Sequence, residues 1–273
     1  MTPMSDEPRA EGPDDTTLDP LLEEILEEDD EDRAPVLALI TGGARRLGAR
    51  LTRALAEEGY DIAISYHGGE AEAYELVDDL LATGVEAAAF GADLRQPAEA
   101  EALIESVESD LGPIGLLVNN AGILLSADVD RASAEDLDRS YELNVRAPYV
   151  LSLEVGRRMR ERGEGSIVNI ASVGGLRPYR RHLSYSVTKA GLVMLTQALA
   201  AALAPEVTVN AIAPGTVWLG EEDDEAGKPS PGRIPLGDWG RAEDVEDALV
   251  YLASAPYVTG QILAVDGGWH LPR

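Results

Sequence analysis

Short apolar runs alternate with stretches of helical periodicity from Val36 onward. Val36–Ile40, Asp61–Tyr66, Val85–Phe90, Ile114–Asn119, Ser166–Ala171, Val207–Ala213 and Gln261–Val265 read as strands. Between them, residues 46–58, 70–83, 97–111, 134–162, 185–204 and 241–254 read as helices. Several strands are apolar at nearly every position, as expected for a parallel sheet covered on both faces. The alternation predicts an α/β fold, a doubly wound parallel sheet of about seven strands in a single domain over residues 35–273. Such sheets bind ligands beyond the strand C-termini, where the strand order reverses.

Residues 1–34 break the pattern. They hold 14 acids and two arginines, Arg9 and Arg33, so this segment carries −12 and the remaining 239 residues carry −16. The like-charge block Glu27–Asp32 predicts a solvated, disordered acidic tail. Within it, Asp19 is a candidate N-cap and Pro20 a first helical residue, with Leu18, Leu21, Leu22, Ile25 and Leu26 on one face. That segment reads either as a transient helix or as a docking element for a partner.

Charge and composition narrow the function. The chain has 273 residues and a formal net charge of −28, from 50 acidic and 22 basic residues. Such a surface repels nucleic acid and anionic membranes, so neither is an expected partner. No apolar run approaches the ~20 residues of a membrane span. No basic-then-apolar leader opens the chain. Cysteine is absent, which excludes disulfides, iron–sulfur clusters and thiol catalysis. No metal site is expected, and a cytoplasmic enzyme is the default reading. The basic residues are 20 arginines and two lysines, Lys189 and Lys228. An arginine-biased genome explains this, and so does adaptation to a salty cytoplasm. Where lysine is so scarce, Lys189 needs a reason.

The first strand runs into the turn Thr41–Gly48, "TGGARRLG". Gly42 and Gly43 permit a tight turn and close approach of a ligand, and Gly48 permits close helix–sheet packing. The free N–H groups of the following helix favour an anion. Arg46 adds a planar fork for phosphate oxygens. The second strand ends in Ser65, Tyr66 and His67, with no acid to bind ribose hydroxyls. Arg46, Ser65 and His67 can instead receive a 2′-phosphate, which favours NADPH over NADH. Of Arg45 and Arg46, one is expected to be a solvated surface arginine.

Tyr185 and Lys189 stand four apart on a predicted helix, hence on one face. A phenol titrates near 10, and a nearby ammonium lowers that value, so the two can form a proton-transfer pair. Ser172 follows the strand "SIVNIA", where a neutral hydroxyl can hold a carbonyl oxygen. Asn144 lies inside a predicted helix, an unfavourable place for Asn, which suggests a functional or bridging role.

Taken together, "TGGARRLG", "ADL" (Ala92–Leu94), "NNAG" (Asn119–Gly122), Asn144, Ser172, Tyr185, Lys189, "APG" (Ala213–Gly215) and "YVTGQILAVDGG" (Tyr257–Gly268) resemble the classical short-chain dehydrogenase/reductase family. The resemblance runs from about Val36 to Gly268 and implies a Rossmann-type fold. It implies that Tyr185 donates a proton to the substrate oxygen, Lys189 lowers the tyrosine pKa and holds the nicotinamide ribose, and Ser172 polarises the carbonyl. It implies that Asn144 anchors a water in a proton relay. It places Thr41, Gly42, Gly43, Arg46 and Leu47 around the cofactor phosphates, Asp93 and Leu94 at the adenine, and Asn119, Ala121 and Gly122 in the cofactor cleft. Pro214, Gly215, Thr216 and Val217 then abut the nicotinamide. The family commonly forms homotetramers.

Arg46 stands where the family's phosphate turn has glycine and is similar to the pteridine reductase branch, as is "LRPYRRHLSYS" (Leu176–Ser186). That branch typically has Asp at Ser172 and an aromatic near Ile123–Leu124, so the substrate expected first is a small or carrier-bound carbonyl, most like a 3-oxoacyl thioester. A pteridine C=N reductase is the alternative, and an inactive nucleotide-binding sensor is a third. The acidic, Gly- and Pro-containing segment after Pro214 reads as a lid, with Trp218 and Leu219 as an apolar wall. Arg177, Arg180, Arg181 and His182 either receive an anionic substrate or acyl carrier, or pair with the lid acids.

Overall fold

The computed structural model describes residues 35–220 and 228–272. The tail 1–34, with its candidate helix, and the acid-rich part of the lid at 221–227 lie outside the described residues.

Seven parallel strands make one sheet: β1 (Leu37–Thr41), β2 (Asp61–Tyr66), β3 (Ala87–Gly91), β4 (Ile114–Asn119), β5 (Gly165–Ile170), β6 (Val207–Pro214) and the C-terminal β9 (Ile262–Val265). They stand in the order β3-β2-β1-β4-β5-β6-β9. A separate two-stranded pair is formed by β7 (Val217–Trp218) and β8 (Gly240–Arg241). The helices are α1 (Arg46–Glu57), α2 (Glu70–Leu81), α3 (Pro97–Leu111), α4 (Ala134–Tyr141), α5 (Ala147–Arg162), α6 (Leu183–Leu203) and α7 (Ala242–Ser254).

Successive strand residues face opposite layers, which explains the nearly continuous apolar runs. Ile40, Ile62, Ile64 and Val118 pack on one side with Leu51 and Leu55 of α1, Leu76 of α2 and Leu249 of α7. Leu39, Leu117 and Ile167 pack on the other with Ile104 of α3, Leu151 and Met159 of α5 and Leu203 of α6. The order reverses between β1 and β4, so a crevice opens at their C-terminal ends.

Two expectations change. Residues 134–162 are not one helix, because a π-helical turn at Glu142–Arg146 separates α4 from α5. In an α-helix the Asn144 carbonyl would take the N–H of residue 148, and Pro148 has none. The ladder shifts instead, and the Ala147 N–H reaches the Glu142 carbonyl. Secondly, α6 has 21 residues and is apolar enough by composition to cross a membrane. Here one face of it packs into the core, with Lys189, Leu192, Thr196 and Leu199 buried, while Val187 and Met194 are exposed.

Candidate active site

Thr41 ties the two strands that flank the crevice. Its Oγ1 accepts the N–H groups of Asn120 and Ala121, both at 3.0 Å, and donates to the Val118 carbonyl at 3.3 Å. The Asn120 amide donates back to the carbonyls of Thr41 (2.9 Å) and Gly42 (3.1 Å). Gly42 has φ +61°, and a Cβ there would lie 3.3 Å from the Ala121 Cα. Gly48 approaches the Gly42 carbonyl so closely that no side chain fits between them. Gly43 lies beneath the turn, where a Cβ would stand 2.6 Å from Ile64 Cγ2. It shapes the turn rather than lining the crevice.

Arg46 has φ +53°, and among the described residues it is the only non-glycine with positive φ. This conformation costs an L-residue roughly 1–2 kcal/mol. The backbone therefore keeps the glycine geometry of the turn, and the departure is confined to the side chain. Both arginines of the pair are exposed and both line the cleft, but Arg45 also turns toward the next helix. Its guanidinium lies over Gly69, and Nη1 is 3.9 Å from Glu72.

A cleft of about 500 Å³ follows the turn, lined by Arg46, Leu47, His67, Leu94, Ala121 and Gly122 among others. Ser65 also lines it but is buried, and its Oγ accepts the Gly42 N–H at 3.3 Å. The Asp93 carboxylate is engaged by Arg95, whose Nε and Nη2 both donate at 2.8 Å. This bond holds Asp93 below its ordinary pKa. Arg95 Nη2 also lies 3.3 Å from His67 Nε2, so a further basic group stands beside the expected 2′-phosphate position.

Asn119 does not line the cleft, contrary to the sequence reading. As the last residue of β4 it faces inward, donating to Ser152 Oγ (3.0 Å) and Asn169 Oδ1 (2.8 Å). Its Oδ1 is buried without a partner. Its neighbour Asn120 takes the cleft position. Asn120 and Arg95 were missed, although each adjoins a recognised motif. Pro214 ends β6 and Val217 begins β7, and Pro214–Val217 lie outside the residues lining the cleft. There the Gly215 N–H donates to Val265 O at 2.8 Å, and the Thr216 carbonyl accepts the Gly240 N–H at 3.0 Å.

The second half of the site gathers at the end of β5. Ser172 is buried and its Oγ accepts the Gly174 N–H at 3.0 Å, while a Cβ on Gly174 would lie 3.2 Å from Tyr185 Cε1, so the two residues meet at this glycine. Lys189 is buried one turn along α6. Its Nζ donates to the Ile170 carbonyl at 2.7 Å and lies 5.8 Å from the Tyr185 ring centre. Asn144 Oδ1 accepts the Ile123 N–H at 2.8 Å, and its amide donates to Ile123 O (3.0 Å) and Thr188 Oγ1 (3.1 Å). Its side chain is therefore a clamp. A Cβ on Gly122 would come within 3.1 Å of Asn144 Oδ1 and 3.6 Å of Lys189 Nζ, so the two halves meet at this glycine.

Burial pushes the Tyr185 phenol up, and the neighbouring Ser172 hydroxyl opposes it. Lys189 is pushed down to about 8 by burial. In this structure the largest influence on the phenol is burial, which acts against the lowering expected from lysine. The pair has one buried proton donor beside one easily neutralised ammonium, which suits proton transfer to a ligand oxygen.

The arginine cluster divides. Arg177 donates to the Trp269 carbonyl at 2.5 Å and lies 4.9 Å from the Trp269 ring centre. Arg181 pairs with Asp128 at 3.3 Å, and His182 Nδ1 lies 3.1 Å from Leu125 O. Near the lid, Trp218 stacks on Trp239 at 5.8 Å, with Lys228 4.6 Å over the Trp218 ring.

The family model described as enoyl-(acyl carrier protein) reductase matches residues 42–270. The 3-oxoacyl-[acyl-carrier-protein] reductase of Staphylococcus aureus is 34% identical over 240 residues, 86% of this chain and 98% of that protein. The chain belongs to the classical short-chain dehydrogenase/reductase family. It is thus an oxidoreductase acting on CH–OH and C=O groups. A blue fluorescent protein from a metagenomic library, solved with NADPH, is 34% identical with a TM-score of 0.79, covering 86% of this chain and 97% of its own. A gluconate 5-dehydrogenase from Burkholderia cenocepacia, solved with NADP and tartrate, is 33% identical with a TM-score of 0.81, covering 88% and 98%.

Proposed function

We propose that the protein is an NADPH-dependent reductase of carbonyl compounds, most like 3-oxoacyl thioesters, working at Ser172, Tyr185 and Lys189. The observation that carries this reading is the meeting of buried Ser172 with Tyr185 at Gly174, with buried Lys189 one turn away and its Nζ 5.8 Å from the Tyr185 ring centre. A dinucleotide fits the adjoining cleft: the turn leaves no room for a side chain at Gly48 and holds Gly42 at a left-handed φ of +61°, and Arg46, His67 and Arg95 supply cationic or donor groups for a phosphate. When bound, NADPH supplies the hydride that reaches the carbonyl carbon. Tyr185 gives its proton to the carbonyl oxygen as the C=O becomes CH–OH, while Ser172 donates a hydrogen bond to the same oxygen. The Lys189 ammonium stabilises the phenolate left behind and holds the nicotinamide ribose. Reprotonation draws on solvent through a water held by the main-chain carbonyl of Asn144, the group that Pro148 deprives of its α-helical donor.

The test is NADPH oxidation at several KCl concentrations with an acetoacetyl thioester and dihydrobiopterin side by side. Faster turnover of the thioester is expected. Faster turnover of the pterin would replace this reading by a C=N reductase, which Arg46 and the segment Leu176–Ser186 favour. We also read the protein as a cytoplasmic homotetramer. The exposed Tyr141, Tyr149, Val187 and Met194 on α4, α5 and α6 support an apolar interface there, and a monomer in sizing experiments at high salt would exclude it.

A further inference from the structure

The carboxylate expected at the adenine is already occupied by a single residue. Asp93 Oδ1 accepts the Arg95 main-chain N–H at 3.1 Å and Arg95 Nε at 2.8 Å, and Oδ2 accepts Arg95 Nη2 at 2.8 Å. A carboxylate has about four lone-pair sites. Arg95 alone fills three of those on Asp93. The main chain around the pair is held as well. The Asp93 N–H donates to Glu99 Oε2 at 2.7 Å, and the Arg95 carbonyl accepts Arg146 Nη2 at 2.6 Å. The guanidinium is thus fixed through both its backbone and its side chain.

It is fixed where the 2′-phosphate is expected. The strand order β3-β2-β1 sets the C-terminal ends of these strands side by side. Arg46 follows β1, His67 follows β2 and Arg95 follows β3, and all three line the cleft. Arg95 Nη2 lies 3.3 Å from His67 Nε2. The chelate with Asp93 uses the Nε and Nη2 edge of the guanidinium, and Nη1 makes no hydrogen bond among the described residues. The Nη1 donors therefore remain for an anion beside His67. A guanidinium ordered before its ligand arrives loses little freedom on binding it. Adenine is uncharged, and a planar cationic fork matches a phosphate.

We propose that Arg95 is a specificity-determining residue that reads the 2′-phosphate, and that Asp93 is a positioning residue that acts through Arg95 and does not read the adenine. The proposal rests on the dinucleotide reading above and names the side chains of that site that tell NADPH from NADH.

The experiment is calorimetric titration of the cofactor-free full chain with adenosine 2′-monophosphate and, separately, adenosine 5′-monophosphate at one KCl concentration. The ligands share adenine and ribose and differ in where the phosphate sits. Arg95→Met is expected to weaken the 2′-monophosphate about tenfold or more and the 5′-monophosphate by about twofold at most. Asp93→Asn keeps the side-chain size and should weaken the 2′-monophosphate about three- to tenfold, with no further loss where Arg95 is already Met. Arg95→Lys keeps the charge without the fork, so its loss should fall between wild type and Met; it serves also where the Met variant does not fold. In turnover, the KM for NADPH should follow the 2′ ligand and that for NADH the 5′ ligand. Equal losses on both ligands, or a loss from Asp93→Asn that persists without Arg95, would place Asp93 at the adenine and overturn the proposal. A gain from Asp93→Asn would show that the carboxylate only neutralises the guanidinium, and overturns the positioning role. Unchanged 2′ affinity in both Arg95 variants would leave Arg46 as the reader and also overturn it. If the wild type binds neither ligand, the dinucleotide reading fails and this inference with it. If it binds both but reduces no carbonyl, only the reductase chemistry fails, and the titrations still decide the roles of Asp93 and Arg95.

Discussion

The Lys189 ammonium lies 5.8 Å from the centre of the Tyr185 ring and donates to the Ile170 carbonyl. Burial brings its pKa down to about 8 from an ordinary 10.5. Turnover at saturating NADPH should therefore decline as pH rises through about 8, where the ammonium loses its charge. A rate that stays flat to pH 10 would remove Lys189 from the proton-transfer step. The same burial bears on stability. Between pH 8 and 10.5 the unfolded chain binds more protons at this lysine than the native one, so its contribution to stability rises with pH. The penalty is fully present below 8. In denaturant melts, Lys189→Met should exceed the wild type in stability most at neutral pH, with the gap closing toward pH 10.

Tyr185→Phe should reduce kcat by about 10²–10⁴-fold, the usual range for loss of a general acid. NADPH affinity, measured by fluorescence titration, should stay within a few-fold. Near-normal turnover would show that another group delivers the proton.

Arg46→Gly should act in two directions. The left-handed backbone is relieved, so the melting temperature is expected to rise by an amount reflecting roughly 1 kcal/mol. The KM for NADPH should rise about tenfold or more while that for NADH changes little. Equal losses for both cofactors would show that Arg46 does not read the 2′-phosphate.

Asn120→Ala removes both donors to the Thr41 and Gly42 carbonyls. It should destabilise the protein by about 1–3 kcal/mol and weaken NADPH binding without changing the pH dependence of kcat. Wild-type cofactor affinity would mean that the β1 turn holds its shape without this clamp.

All seven sheet strands and most helices were legible in the alternating pattern, because both faces of a parallel sheet must be apolar. The break at Glu142–Arg146 was not, since it depends on the missing N–H of Pro148 and not on periodicity. The reacting groups were legible because Tyr185, Lys189 and Ser172 stand at fixed spacings around one strand end. What failed was orientation. Asn119 and Asn120 are adjacent and chemically identical, and only the pleat decides which amide enters the core. The arginines from 177 to 181 read as one cluster, but the loop turns Arg177 onto Trp269 and Arg181 onto Asp128. The upward push on Tyr185 was not legible because burial is not visible in a spacing.

The chain has three tryptophans. Trp218 and Trp239 stack beside Lys228 at the base of the lid, and the guanidinium groups of Arg177 and Arg233 lie 4.9 and 5.6 Å from the Trp269 ring centre. The intrinsic fluorescence of the whole molecule is therefore the fluorescence of this one region. Rearrangement of the lid can be followed in stopped flow without any label, and a dinucleotide absorbing where indoles emit would report its own arrival as quenching.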